Sequence, residues 1–232
     1  MKTLLLLTLV VASSWGLGFS SNPPTGSETS EYLRKYDAYY IGDREEGKNL
    51  YLTFDAGYEN GYTSSILDTL NKLNVPATFF LVGHYIETET ELVQRMEQEG
   101  HIVANHTVSH KNMPSLSKEA FTEELLGFEQ LYPSLGKYYR PPKGTYNENN
   151  LKWAKELGYK TIFWSLAYVD WDDNNQPTHE YAFNKLLPRL HDGAIILLHN
   201  TSKTNMEILE EFILKAREQG YEFKSLDSLR VH

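Results

Sequence analysis

From Asn49 onward, short apolar or β-branched segments alternate with segments of helical periodicity, and this alternation limits the fold more than any other feature. The strand-like segments are NLYLTFDAG, ATFFLVG, HIVANH, YYRPPKG, KTIFWSLA, GAIILLH and a weaker YEFKSL. Between them, apolar residues recur on one helical face, as at Ile66, Leu67, Leu70 and Leu73. Strands that alternate with helices predict a parallel sheet. A parallel sheet of this size either stays open or closes into a barrel, and the lack of a glycine-rich phosphate loop after the first strand argues against a nucleotide-binding sheet. We therefore expect an α/β fold of about seven parallel strands in a distorted, incomplete barrel.

Residues 1–20 have the composition of a secretory signal. One lysine precedes the apolar run LLLLTLVV, and small residues follow it. The run is shorter than the roughly 20 apolar residues that span a membrane, so export is favoured over an uncleaved anchor. The next stretch, SNPPTGSETS, is rich in Pro, Gly and Ser and predicts a linker. We therefore assign 21–48 to a linker and N-terminal extension and 49–232 to one catalytic domain.

The charge balance and the cysteine count exclude several classes of function. Lys and Arg number 22 against 31 Asp and Glu, which gives a formal net charge of -9, and no basic patch is visible in the sequence. Such a chain is not expected to bind nucleic acid. It contains no cysteine, so thiol nucleophiles and thiolate metal sites are excluded.

Four reactive side chains follow strand-like segments: Asp55, His106, Arg140 and His199. The carboxyl ends of parallel strands meet at one face of an α/β barrel, and active sites of such barrels lie there. Taken singly, an acid such as Asp55 is more often a turn residue, and an arginine such as Arg140 is more often a surface ion-pair partner. Their common position favours a catalytic site.

Two further segments carry candidate residues. In NHTVSHKN, the spacing of His106 and His110 suits two imidazoles on one metal ion, with a buried, hydrogen-bonded pair as the alternative. The segment FWSLAYVDW ends in Asp170 and Trp171. Aromatic side chains are most often core residues, but near carboxylates they also suit the apolar faces of sugar rings.

The chain resembles the polysaccharide deacetylase family, carbohydrate esterases that remove N-acetyl groups from chitin or peptidoglycan. Five motifs carry the resemblance in order, TFDAG, HTVSH, RPPKG, VDW and ILLH, over about 49–229. Within the family it is most similar to sporulation-type deacetylases that act on muramic acid and start muramic δ-lactam formation. The segments YLTFDAGYENGYT, GHIVANHT, FWSLAYVDW and GYEFKSLDSL carry that closer likeness.

The resemblance implies a division of roles in amide hydrolysis. Asp55 would be the general base, oriented by Arg140, and His199 the general acid, oriented by Asp170. The substrate would meet three further residues. Lys143 would give a backbone N–H to the oxyanion, Leu197 would line the pocket for the acetyl methyl group, and Trp171 would face the sugar.

The resemblance also implies a divalent metal, zinc, magnesium or manganese, on His106 and His110. Most members add an Asp at the position of Ala56, and alanine has no donor atom. Three outcomes are open: two histidines with water or substrate, an added carboxylate from Asp55 or Glu59, or no metal. Ala167 and Lys111 are further departures, where an acid and a proline are usual.

The implied partner is the peptidoglycan glycan strand at the cell wall, with functional coupling to an N-acetylmuramoyl amidase, and we expect a monomer. Two alternatives stay open. The substrate is N-acetylglucosamine or a chitooligosaccharide in the first, and the chain is a catalytically silent glycan-binding protein of the cell wall in the second.

Overall fold

The computed structural model describes residues 27–42, 44 and 47–229. The predicted signal peptide, 1–20, and the first part of the predicted linker, 21–26, lie outside the described residues. In the part of the chain that is described, no helix has both the length and the apolar character needed to cross a bilayer.

Within the described residues, eight strands form one parallel sheet in the order β1-β6-β5-β4-β3-β2-β7, with β8 beside β2. They are β1 (Ala38–Tyr39), β2 (Asn49–Ala56), β3 (Ala77–Leu81), β4 (Ile102–Asn105), β5 (Tyr138–Tyr139), β6 (Lys160–Ile162), β7 (Ala194–His199) and β8 (Glu222–Phe223). The sheet curls into a half-barrel with helices around it, which confirms the predicted incomplete barrel. All the predicted strand segments are present, as β2 to β8.

The helices are α1 (Ser27–Arg34), α2 (Thr63–Lys72), α3 (Gly83–Thr88), α4 (Thr90–Gln98), α5 (Lys118–Leu131), α6 (Glu148–Glu156), α7 (His179–Leu186) and α8 (Lys203–Glu218). The apolar face predicted for α2 is confirmed, since Ile66, Leu67 and Leu70 are buried there.

Regular structure begins before Asn49, within the segment 21–48 that the sequence analysis assigned to a linker and N-terminal extension. Helix α1 starts at Ser27, inside the segment read as a linker, and β1 pairs with β6. Leu33 of α1 is fully buried with Tyr40 and Phe163, so tertiary packing stabilises a helix that its polar sequence does not predict. A strand of two residues has no periodicity to detect, which is why β1 was missed.

The pleat of β2 separates two apolar layers. Leu50, Leu52 and Phe54 belong to the layer that faces the helices, and Ala56 packs in the same layer. Tyr51 belongs to the inner cluster. Because successive side chains of a strand point to opposite faces, Asp55 lies on the inner face at the carboxyl end of the strand.

Candidate active site

Asp55 and Arg140 form a buried ion pair at the carboxyl end of the sheet. Arg140 follows β5, is fully buried, and donates from Nη1 to Asp55 Oδ1 at 2.8 Å and to Thr53 Oγ1 at 2.9 Å. Its other nitrogens donate to the carbonyls of Ile162 and Phe163, at 3.0 and 3.1 Å. Arg140 is therefore not a surface ion-pair partner, and Asp55 lies within a strand rather than in a turn.

The ion pair keeps Asp55 ionised. Burial alone would raise the pKa of its carboxyl, but the charge and hydrogen bond of Arg140, together with the neighbouring His106 and His199, outweigh burial and hold that pKa below its ordinary value. The carboxyl is therefore unprotonated at neutral pH and free to accept a proton. The hydrogen bond from Arg140 Nη1 fixes its orientation.

Asp170 and His199 form a second pair on the same face. Asp170 is buried, and its Oδ1 lies 2.7 Å from His199 Nδ1. Its Oδ2 accepts from the His199 backbone N–H at 2.9 Å and from Asn205 Nδ2 at 2.6 Å. Burial would lower the pKa of His199, but the charge and hydrogen bond of Asp170 raise it above its ordinary value. Because Nδ1 is engaged by Asp170, Nε2 is the nitrogen left for the cavity.

His106 and His110 stand beside Asp55. Their ring centroids are 5.0 Å apart, and His106 Nε2 lies 3.5 Å from Asp55 Oδ2. His106 Nδ1 lies 2.8 Å from the Arg140 carbonyl, so this nitrogen carries the proton and Nε2 carries the lone pair. Burial lowers the pKa of His106 to about 4, and desolvation also lowers the pKa of His110. Both imidazoles are therefore neutral at pH 7, as metal ligands must be.

These donors fit a divalent cation, but the set is small. The lone pair of His106 Nε2 and the charge of Asp55 Oδ2 face each other, and a cation between them would remove their repulsion. Among the described residues, no group of three or more His, Cys, Asp or Glu side chains is arranged to hold a metal. Glu59 does not join the histidines, since it accepts from Gly61 N, Thr63 N and Tyr85 Oη. Weak binding by His106 and His110 is what this donor set supports.

The loop that carries the histidines is anchored by a residue that sequence reasoning missed. Thr107 and His110 have φ of 72° and 53°, which is unfavourable for residues other than glycine. Glu124, 4 % exposed, accepts from Ser109 N at 2.9 Å and pairs with Lys111 Nζ at 2.7 Å. Lys111, at the position where the family resemblance leads us to expect a proline, thus contributes an ion pair to this anchor.

A sequence signal for Glu124 existed. Phe121, Leu125 and Phe128 form the buried face of α5, and Glu124 interrupts this face at helical spacing. A carboxylate on an apolar face needs a partner, so its position alone indicates a structural or functional contact.

Replacing Glu124 by glutamine should destabilise the fold by about 1–3 kcal/mol, because a buried charge-assisted hydrogen bond network loses its charge. Urea unfolding monitored by tryptophan fluorescence measures the change. Glu123→Gln is the matched control, since Glu123 is exposed on the same helix and its variant should unfold like the wild type. Equal stability of the two variants would show that Glu124 does not anchor the loop.

All the predicted site residues gather around one cavity of about 790 Å³. Arg140 and Asp170 support it from behind, whereas the others line it together with further residues: Asp55, Ala56, Gly57, Tyr58, Val82, His106, His110, Lys143, Trp164, Trp171, Leu197, His199, Asn200 and Thr201. Trp171 is 54 % exposed, and its ring lies 5.9 Å from that of His199. The cavity thus combines ionisable side chains with apolar and aromatic ones, a lining typical of small-molecule sites, and Trp171 is its exposed aromatic side chain.

Asn205 was also missed by sequence reasoning. It is fully buried at the start of α8 and holds Asp170 Oδ2 and the His199 carbonyl, at 2.6 and 3.0 Å. Tyr168 Oη in turn donates to Asn205 Oδ1 at 2.5 Å. No spacing in the sequence connects these three segments, so no local signal pointed to Asn205.

The half-barrel and its cavity define a carbohydrate esterase. The structure of PdaA from Bacillus subtilis, a family 4 carbohydrate esterase, superimposes with a TM-score of 0.86 at 40% identity, covering 94% of this chain and 97% of that one. A family 4 carbohydrate esterase from Bacillus anthracis superimposes with a TM-score of 0.76 at 42% identity, covering 93% and 94%.

Sequence comparison leads to the family. The polysaccharide deacetylase model matches residues 42–162. The peptidoglycan-N-acetylmuramic acid deacetylase PdaA of B. subtilis is 43% identical over 93% of this chain and 85% of its own length. A peptidoglycan-N-acetylglucosamine deacetylase of Bacillus cereus is 32% identical over 85% and 74%. The chain belongs to the polysaccharide deacetylase family, esterases that act on N-acetyl groups and generally depend on a metal.

Proposed function

We propose that this protein hydrolyses the N-acetyl group of N-acetylmuramic acid in peptidoglycan. The observation that carries the proposal is that two oriented side chains line one cavity of about 790 Å³: Asp55, held by Arg140, and His199, held by Asp170. The similarity to PdaA, named for muramic acid, supports this sugar. The opposed pKa shifts of Asp55 and His199 suit a base and an acid that work together.

Asp55 takes a proton from water as the water oxygen attacks the acetyl carbon. Arg140 holds the carboxylate so that its free oxygen faces the cavity. The backbone N–H of Lys143 stabilises the oxyanion. His199 Nε2 then protonates the sugar nitrogen as the C–N bond breaks, which releases acetate and a free amine. Leu197 contacts the acetyl methyl group, and Trp171 contacts the sugar ring.

A divalent ion, zinc, magnesium or manganese, would be held by His106 and His110 beside Asp55. Such an ion polarises a carbonyl and lowers the pKa of water. The residues themselves keep both imidazoles neutral and the Asp55 carboxylate charged, whatever ion is present.

Chelation should lower the rate of acetate release by at least about tenfold, because Asp55 with a lowered pKa is a weak base for plain water. The test is acetate release from peptidoglycan without stem peptides, before and after a chelator and after zinc, magnesium or manganese is restored. Recovery on restoring the ion is expected. An unchanged rate in the metal-free protein would exclude the ion from the reaction.

Replacing Asp170 by asparagine should move the alkaline limb of the kcat profile to lower pH. An acid catalyst must be protonated, so activity falls as pH rises through the pKa of His199, which Asp170 raises. Without that charge, burial dominates and the pKa of His199 falls. The measurement is kcat between pH 5 and 9. If the alkaline limb of the variant lay at the same pH as that of the wild type, His199 would not be the acid catalyst.

The chemistry of the product supports a place in δ-lactam formation and, by resemblance, in the spore cortex. Deacetylation leaves an amine on C2, next to the lactyl carboxyl on O3. Condensation of the two closes a six-membered lactam. A stem peptide on that carboxyl has to leave first or during closure, so an amidase is the implied functional partner. The signal-like composition of 1–20 supports export to the cell envelope, and we expect a monomer there.

The alternative substrate is N-acetylglucosamine, as the name of the B. cereus relative suggests. Product analysis on defined glycans separates the two sugars. A catalytically silent binding protein is less consistent with the cavity, because binding alone needs neither an ionised base nor an oriented acid.

A further inference from the structure

Lys143 is the only lysine or arginine among the described residues that line the cavity. Its side chain is exposed, and within the described part of the chain its ammonium group forms no hydrogen bond or ion pair. By contrast, Arg140 behind the cavity is fully engaged by Asp55 and three further oxygens. The cavity therefore presents a cation that no described side chain neutralises.

The backbone at Lys143 is held in place. Lys143 lies in a single 3₁₀ turn, Pro142–Gly144, with φ of 58°. The next residue, Gly144, packs so closely that an added Cβ would lie 2.7 Å from the Trp164 ring. The position of the Lys143 Cα, from which its side chain extends, is therefore fixed by the surrounding packing. Its charge is felt at His110, where it lowers the pKa together with the larger effect of desolvation.

The acids nearby do not cancel this charge. Asp55 is the only acid that lines the cavity among the described residues, and Arg140 already pairs with it at 2.8 Å. Asp170 is buried behind His199 and is engaged by three donors. A carboxylate on the ligand would supply the counterion that the protein does not.

We propose that the Lys143 ammonium recognises the free lactyl carboxylate of muramic acid, so that the enzyme selects muramic acid from which the stem peptide has been removed. This inference rests on the proposed function and adds a specificity-determining side chain to it. Muramic acid differs from glucosamine by the lactyl ether on O3. That position adjoins C2, which bears the scissile amide, so the carboxylate must lie close to the reacting atoms.

The same recognition sets an order of reactions. When a stem peptide is attached, the lactyl carboxyl is an amide without charge and offers no partner of opposite sign to Lys143. Hydrolysis of that amide by an amidase then creates the feature that this cavity selects. Deacetylation would follow removal of the stem peptide.

The test compares three glycans of equal length, with a free lactyl carboxylate, with the same carboxyl as an amide, and with N-acetylglucosamine only. kcat/KM for acetate release is measured on the full chain. The wild type should prefer the free carboxylate to the amide by about tenfold or more, the size of one charge-assisted hydrogen bond. In Lys143→Met this ratio should fall to within about twofold of unity, and Lys143→Arg should keep most of it.

Lys160→Met is the matched control, since Lys160 is exposed at the start of β6 and its loss changes the net charge equally. Its ratio should equal that of the wild type. The preference of the wild type should also weaken with added salt. Circular dichroism and thermal unfolding establish that Lys143→Met is folded.

Two results overturn the inference and are distinguishable. Equal losses of Lys143→Met on the free acid and the amide would give Lys143 a role common to both, and the proposed muramic acid activity would stand. A wild type that deacetylates N-acetylglucosamine but neither muramic acid glycan would instead remove the proposed function, and the inference with it.

Discussion

Asp55→Asn is expected to lower kcat/KM for acetate release by about 10²–10⁴-fold, the range that a general base contributes. In the wild type, Arg140 Nη1 donates to Asp55 Oδ1 at 2.8 Å, and the side-chain oxygen of asparagine can accept the same hydrogen bond. The asparagine amide cannot take a proton from water. The cavity therefore keeps its shape, and glycan binding should change little. Acetate release and glycan affinity, measured on the same preparation, separate catalysis from binding.

Asp172→Asn is the control for this variant. Asp172 is exposed on the loop after Asp170, so the same chemical change there should leave kcat/KM within about twofold. If Asp55→Asn were folded and as active as this control, Asp55 would not be the base. If the wild type bound glycans but released acetate from none of the glycans tested, a catalytically silent binding protein would describe this chain better.

Arg140→Met is expected to lower the free energy of unfolding at pH 7 by about 3–5 kcal/mol, the cost of breaking a buried pair from one side. The guanidinium donates to Thr53, Asp55 and two carbonyls and stacks on the Phe80 ring at 4.1 Å. Methionine fills part of the volume but satisfies none of these acceptors. Urea unfolding measures the loss.

The stability deficit of Arg140→Met should depend on pH in a direction opposite to ordinary acid lability. In the wild type the pKa of Asp55 is lowered, so the stability it contributes is complete above about pH 4, the unfolded value, and is lost only below that. Without Arg140, burial raises the pKa of Asp55. Protonation then relieves the unpaired charge as pH falls from 7 towards 5, and the deficit should shrink.

The double variant Asp55→Asn with Arg140→Met tests whether the deficit comes from this pair. Because the uncompensated carboxylate is gone, the double variant should be more stable at pH 7 than Arg140→Met alone. Additive losses would place the cost in the other contacts of Arg140. A deficit that stayed constant from pH 7 to 5 would exclude Asp55 as its source.

The fold was predictable because its evidence is local. The alternation along β2 and the apolar face of α2 are properties of consecutive residues, so strand and helix positions follow from them. β1 and α1 were not predictable in this way. Two residues carry no period, and α1 is stabilised by burying Leu33 against residues far along the chain.

The residues of the candidate site likewise fall into those that the sequence predicted and those that it did not. Parallel strands bring their carboxyl ends together, so residues after different strands were expected to meet, and Asp55, His106 and His199 do surround one cavity. Glu124 and Asn205 could not be assigned partners from the sequence. Their contacts join helices to loops, and such contacts depend on how the helices pack.

The sequence by itself determined the family, the order of the strands along the chain and the set of polar residues at their carboxyl ends. Only the tertiary structure decided which charges pair. Arg140 and Asp55 are separated by 85 positions and meet because β2 and β5 curl around one interior. Whether a charge is neutralised or left available depends on distances in space, since electrostatic energy falls with separation and rises with burial. For that reason Arg140 became a buried support of Asp55, whereas Lys143, three residues later, lines the cavity without an ion-pair partner among the described residues.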